Sequence, residues 1–451
     1  MLNNSPQSQA GSVVWEKVPL QGWITVLAGI SVNLCLGVLY AWSVFKGALL
    51  ANKDHALGTL LGGMNAGWTY MSDAQTTWAY CICGFVFCAF MIPGGRIQDK
   101  FGPKVSVTVG GLSLALGCII CGLMRSYVGL VIGFGFFCGI GMGIGYSGPI
   151  PAVVKWFGPH KRGLVVGLVV GGFGAAAIYL SALTALLMKS YGISTSFYII
   201  GILFCIVTIV AGRLLYTPPQ GYVPPAPPAH AKAAAAAVAQ ATSDNWTASE
   251  MMKTWQYAVL VVISTFGAQA GLLVIVNTVP MLFKTAAGIP FLKANAWVIA
   301  SFAAVMNLCG RVGTGFYSDK IGRKNSFMLN AALCSICLFL LPFIIHSGNV
   351  FVLFLTVAIA CWQFGGQLAI MPAITADYFG QKNLGLNYGL VFALSGLCFF
   401  VPQIAAFIKD TTGSLDYAFY MSGVFLILAV ALCIVIKRPV REKAKAVSPA
   451  V

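Results

Sequence analysis

Ionisable side chains are scarce in this sequence: Asp, Glu, Lys and Arg together make up 8% of 451 residues, and only 11 are acidic. A soluble domain carries about 25%, so water is not the only solvent for which the chain is built. Histidine is rarer still, and His55, His160, His230 and His346 all fall in loops or at the ends of apolar segments. Inside those segments there is no carboxylate pair, no histidine beside a nucleophile and no zinc spacing, so no enzyme activity, cofactor or metal is expected. The net charge of +16 comes from basic residues scattered through short loops rather than gathered on one face, which excludes a nucleic-acid surface. Cys118 and Cys121 form a CxxC, but without a second pair or a nearby histidine they and the other cysteines read as small hydrophobes.

What is present is apolar length. Hydrophobic residues are 59% of the chain, and a bilayer core of about 30 Å needs about 20 of them per helix. Twelve segments of that length emerge: 22–45, 73–94, 105–125, 128–154, 163–188, 196–216, 255–283, 294–317, 325–346, 349–376, 385–408 and 416–436. The expected fold is an all-α membrane protein. Residues 1–21 form an N-terminal tail without the features of a cleaved signal, and 22–216 form a first six-helix bundle. A Pro/Ala-rich linker, 217–254, includes the alanine run from Ala233 to Ala237 and carries no assigned chemistry. A second bundle, 255–437, precedes a basic tail, 438–451. Assigning Lys and Arg to loops with the N-terminus inside gives 19 inner and 7 outer positions, with Lys46 and Lys409 among the outer set. Both termini are thus expected to be cytoplasmic, in a multi-pass protein of the plasma membrane, the bacterial inner membrane included.

The halves repeat. Gly95-Arg-Ile-Gln-Asp99-Lys-Phe-Gly102-Pro-Lys104 after the second span matches Gly315-Phe-Tyr-Ser-Asp319-Lys-Ile-Gly322-Arg-Lys324 after the eighth, 220 residues later. Trp156-Phe157-Gly158 and Gly163-Leu164-Val165 correspond to Tyr378-Phe379-Gly380 and Gly389-Leu390-Val391. Duplicated halves with a site between them are the plan of a secondary transporter. The paired loops resemble the signature of the major facilitator superfamily. More narrowly, Tyr40-Ala-Trp42-Ser-Val-Phe45, Glu250-Met-Met-Lys253-Thr254 and Asn307-Leu-Cys-Gly310-Arg311 resemble the oxalate/formate antiporter family, which is similar to the monocarboxylate transporters.

Within the apolar spans, Arg311 stands out as the one clearly intramembrane ionisable residue. Eight residues separate it from Asp319, about 12 Å of helix at 1.5 Å per residue, which is near mid-depth. A buried arginine costs at least about 2.5 kcal/mol on insertion scales, and its planar fork suits a carboxylate. Arg311 is the expected substrate anchor, and the resemblance implies the same role. Asn307, one turn earlier, can steady the guanidinium or bind a substrate oxygen without titrating. Tyr40, Tyr146, Gln363, Phe364, Gln367 and Tyr388 are candidate wall residues, each with helix packing as the alternative. Where the oxalate carriers have a second cation this sequence has Ser395. One buried positive charge suits one carboxylate, so a lactate, pyruvate or formate class substrate is expected over oxalate. Asp99, Arg96 and Lys100, with Asp319, Lys320 and Arg323, are expected to gate access.

A membrane anion sensor would share the fold and the arginine but usually needs an added output domain; a channel has no need of duplicated gating loops. The expected partners are a small carboxylate, lipid, and protons as a candidate co-substrate, with the monomer as the working unit. Without an evident intramembrane carboxylate or histidine, exchange of anions, or uptake with the proton held on the substrate, is favoured.

Overall fold

The computed structural model describes residues 7–9, 12–14, 18–50, 67–68, 71–157, 159–219, 222–223, 225, 246–286, 288–380 and 383–439; at 7–9, 12–14, 159–164, 223, 319 and 384–385 the description is of the backbone alone. The Ala233–Ala237 run and all but the first residues of the basic tail lie outside the described residues. Among the described residues twelve membrane-length helices follow one another, the fifth and sixth divided at Gly192. They are α1 (Leu20–Leu50), α2 (Asp73–Phe101), α3 (Pro103–Met124), α4 (Tyr127–Val154), α5 and α6 (the two parts of Pro159–Arg213), α7 (Trp255–Thr285), α8 (Trp297–Ile321), α9 (Arg323–Ser347), α10 (Val350–Phe379), α11 (Leu386–Thr412) and α12 (Asp416–Val435). Backbone geometry ends α5 and starts α6 at Gly192, whose φ of 79° and ψ of 171° are non-helical. A turn there needs one glycine and no loop, because a residue without Cβ tolerates positive φ.

The sequence repeat is visible in the backbone. Gly102 (φ 84°) closes α2 and opens α3, and Gly322 (φ 86°) closes α8 and opens α9. Each follows an Asp-Lys pair, so the two ten-residue loops make the same corner at the same end of the molecule. At that end three short strands, Gln7–Gln9, Ser12–Val14 and Tyr222–Val223, join the N-terminal tail to the segment after α6.

Each half is a bundle packed through small residues. Gly111 of α3 faces Thr208 of α6, Gly172 of α5 faces the backbone of Ile30 in α1, and Gly310 of α8 faces the backbone of Trp362 in α10. A Cβ at any of these positions would collide with its neighbour, so the glycines set the interaxial distance. The halves meet through α1 with α7, α2 with α11, and α5 with α8. At this interface α1 and α11 lose regular α geometry, tightening to 3-10 turns over Gly37–Ala41 and Gly396–Phe400.

One expectation is corrected. Arg311 is not the sole buried ionisable group in the helices: Lys46 is 0% exposed in α1 and Asp73 3% in α2. Their charges are hidden from a reading by segments because the compensating partners lie far along the chain.

Candidate functional site

The face of α8 that meets the other half carries Ala300, Ala303, Ala304, Asn307 and Arg311, spaced at three and four residues so that all lie on one stripe. Arg311 is 8% exposed and is held by three hydrogen bonds. Its Nε donates to Oδ1 of Asn307 at 3.0 Å, one terminal nitrogen donates to the carbonyl of Val170 in α5 at 3.0 Å, and the other to the hydroxyl of Tyr40 in α1 at 3.3 Å. Two of these partners belong to the opposite half. Gly174 makes the approach possible, because a Cβ there would sit 3.0 Å from the guanidinium carbon. A guanidinium has five N–H donors, so two remain after these bonds. Among the described residues no carboxylate pairs with it.

Aromatic rings enclose the guanidinium side of the cleft. Tyr40 meets Phe173 edge-on at 5.5 Å and Phe364 at 6.3 Å; Tyr146 meets Phe87 and Phe173 edge-on, and Phe87 stacks on Phe173. Tyr388 joins through Phe392, which lies edge-on to Phe87. The structure therefore gathers Arg311, Asn307, Tyr40, Tyr146, Phe364 and Tyr388 into one neighbourhood. Phe87, Phe173 and Phe392 escaped the sequence reading, since a phenylalanine in an apolar helix carries no local mark of whether it faces lipid or cleft. Gln363 and Gln367 are buried on the same stripe of α10, but Gln363 donates to Gln367, which donates to the carbonyl of Ser264 in α7 at 2.6 Å. This pair pins two helices of one half together. The Ser395 hydroxyl returns to its own helix at Val391.

From Arg311 toward the end opposite the paired loops, polar contacts join the halves. Ser301 donates to carbonyls of α5, Thr278 of α7 to Ser43 of α1, and Lys46 of α1 to Asn277 of α7 at 3.0 Å. Lys46 also pairs with Asp73 at 2.5 Å and donates to Thr77. Asp73 in turn pairs with Lys409 of α11, while Asp410 accepts from the backbone N–H of Ala74 at 2.9 Å. This cluster, buried at Lys46 and Asp73, ties α1, α2, α7 and α11 across the interface. Toward the paired loops, by contrast, no ion pair joins the halves among the described residues.

Residues 23–372 and 297–450 match the family profile of the Major Facilitator Superfamily. The chain belongs to this superfamily. It is a multi-pass membrane transporter by that membership. An oxalate:formate antiporter of Oxalobacter formigenes is 26% identical over 429 residues, covering 93% of either chain. An uncharacterized MFS-type transporter of Escherichia coli (strain K12) is 25% identical over 380 residues, 83% of this chain and 86% of that one. Monocarboxylate transporter 12 of Rattus norvegicus is 24% identical over 391 residues, 81% of this chain and 78% of that one. The fold is shared with a crystallised D-xylose-proton symporter, with a TM-score of 0.67 at 16% identity over 91% of this chain and 97% of that one.

Among the described residues no ion pair joins the two signature loops of this superfamily member. Asp99, Arg96 and Lys100 are exposed, Lys100 lies over Phe101, and Lys320 lies over Phe316. Arg323 pairs with Asp377 at the end of α10, 3.5 Å away and within the same half. The side chain of Asp319 is outside the described residues. Asp377 went unnoticed in the sequence because nothing in the ten-residue pattern points to α10.

Proposed function

We propose that this superfamily member is a secondary transporter of small monocarboxylates, of the lactate, pyruvate or formate class, working by alternating access around Arg311. The observation that carries this reading is a guanidinium buried between the halves with two N–H donors unspent and no carboxylate beside it among the described residues. A buried charge needs a counter-ion or a strong set of hydrogen bonds. A substrate carboxylate supplies both, accepting from the planar fork while the aromatic walls exclude water. Lys46 and Lys409 both face Asp73 toward the far end and make none of the hydrogen bonds that hold the guanidinium, so the cation at the site is Arg311. A monoanion therefore balances the site, whereas a dianion leaves one charge uncompensated.

The asymmetry of the interface supports an assignment of state. The far end is held by the Lys46–Asp73–Lys409 cluster, and among the described residues no ion pair joins the halves at the end bearing the basic loops. With the basic loops and both termini cytoplasmic, in a plasma membrane, this is the inward-open state of a monomeric carrier. The signature-loop residues, apart in this state, come together when the opposite state forms.

The resemblance to an oxalate:formate antiporter over nearly the full length favours a second reading, oxalate/formate exchange. Counterflow of radiolabelled lactate and oxalate in proteoliposomes separates the two. Saturable lactate exchange that excludes oxalate and is lost in Arg311→Ala supports the single-cation site. Faster oxalate exchange selects the second reading, and transport retained in the variant removes Arg311 as anchor.

A further inference from the structure

At the end opposite the paired loops the C-terminal half holds a cavity of about 250 Å³, separate from the Arg311 neighbourhood. Its walls come from the ends of four helices: Lys284 of α7, His346 of α9, Lys409 of α11 and Asp416 of α12, with Ser414 in the turn before α12. Lys284, His346 and Lys409 each stand in the last turn of their helix, where a basic residue complements the negative end of the helix dipole. The dipole accounts for each of them singly. It does not require that all three border one space.

The donors in this wall suit an anion. Lys284 takes part in no ion pair among the described residues. His346 Nδ1 donates to the carbonyl of Pro342 at 2.7 Å, which fixes the ring. The Ser414 hydroxyl oxygen accepts from the backbone N–H of Asp416 at 3.3 Å, so its hydrogen is left to donate. Asp416 is the one carboxylate of the wall, and it lies in the first turn of α12, whose N-terminal end stabilises a negative charge. Sites for drug-sized ligands run to about 300–1,000 Å³, so this smaller space suits a small oxyanion with its waters.

We propose that this cavity binds a small oxyanion, a carboxylate or a phosphate group, between Lys284 and Lys409, and that its occupancy favours opening of the end held by the Lys46–Asp73–Lys409 cluster. Every wall residue belongs to the C-terminal half, so the cavity persists when the halves part. Lys409 is the link. Its ammonium pairs with Asp73 of the other half, and its side chain, 19% exposed, also borders the cavity. When the halves part at this end Lys409 leaves Asp73, and an anion in the cavity then meets it without that competing carboxylate. The anion therefore binds the parted state more tightly, and a ligand shifts an equilibrium toward the state it prefers. Two sources supply such a group, the medium and the headgroup of a lipid. The second is within reach because α9 and α12 carry exposed apolar faces, Leu333, Ile336 and Leu340 on one and Ile427 and Leu428 on the other. The proposal is independent of what Arg311 carries.

The test is the rate at which a maleimide labels Cys81, buried in α2 further along the helix from Asp73, mapped by peptide mass spectrometry. Purified full-length protein in a neutral detergent receives inorganic phosphate, against sodium chloride of equal ionic strength. Native protein is expected to label about fivefold faster with phosphate. Lys284→Gln, a change at an exposed helix end, is expected to lose most of this gain and keep the chloride rate. Arg311→Ala is expected to retain the gain. No gain in the native chain, or an equal gain in Lys284→Gln, overturns the proposal. Loss of the gain in Arg311→Ala overturns it too, by assigning the phosphate to the midplane. Phosphatidylcholine nanodiscs then separate the sources: acceleration by added phosphatidylglycerol in phosphate-free buffer, absent in Lys284→Gln, marks a headgroup, and acceleration by inorganic phosphate alone marks a soluble anion. The carboxylate reading of Arg311 fails separately, in the counterflow assay.

Discussion

At the scale of single residues, the site is arranged by what is missing at Gly174 as much as by what Arg311 carries. Its guanidinium lies flat against a stretch of α5 backbone where a side chain would intrude, and that closeness lets it reach the Val170 carbonyl. Gly174→Val should displace the fork and break this bond. A hydrogen bond to a charged group is worth about 1.5–3 kcal/mol, so the KM for the transported carboxylate should rise by about tenfold or more, while Gly167→Val, beside open space, should leave it unchanged. Equal effects of the two substitutions in a proteoliposome uptake assay would sink the idea. Arg311 and Asn307 were legible in the sequence because an arginine in an apolar run has few innocent explanations. Asp73 was not. It stands at the very start of α2, behind the Ser72 cap, where a carboxylate reads as an ordinary favourable helix N-terminus, and Lys46 reads as the end of a span. Their pairing joins positions 27 residues apart, and the further tie to Lys409 spans the whole molecule; no local pattern records either.

At the scale of helices, the segments were readable from apolar length, and the departures have identifiable causes. The second span was expected to stop at 94, but α2 continues through Pro93 to Phe101, because its outward polar residues, Arg96, Asp99 and Lys100, are solvated while the helix keeps its hydrogen bonds to Gly102. The loop expected between the fifth and sixth spans shrinks to Gly192, since turn chemistry needs far less chain than a hydropathy window can resolve. Contacts between helices of different halves are the least readable. Gly84 of α2 is an instance: a Cβ there would occupy the ring of Phe399 in the 3-10 turn of α11. Gly84→Ala should therefore wedge α2 from α11. The expected outcome is faster modification of Cys398, buried beside this contact, by a small thiol reagent, mapped by peptide mass spectrometry. An unchanged rate would mean that the ring turns aside and the helices stay put.

At the scale of the whole molecule, the interface is sealed at one end by charge. Removing one member of a buried ion pair costs about 3–5 kcal/mol, because its partners stay buried and unpaired. Asp73→Asn strands Lys46 and Lys409 together in the closed end, so it should shift the population away from the inward-open state rather than simply unfold the bundle. A membrane-impermeant reagent applied to right-side-out vesicles should then reach Cys81 and Cys398 more readily than in the native chain. The same labelling in both proteins would show that the cluster is a structural tie without bearing on access.

The lone guanidinium also has an electrical consequence. At the sealed end both lysines pair with Asp73, while Arg311 has no carboxylate partner among the described residues. The unoccupied carrier then reorients with a positive centre, and the carrier holding a monoanion reorients neutral. A membrane potential acts on the first journey and not the second, by up to about 2.3 kcal/mol per 100 mV for a charge crossing the full field. On a solid-supported membrane, exchange of one monocarboxylate for another should pass no steady current, whereas exchange of a dianion for a monoanion would. With the cytoplasm negative, the voltage would hold empty carriers facing inward, and a substrate anion on that side becomes the key that lets them leave.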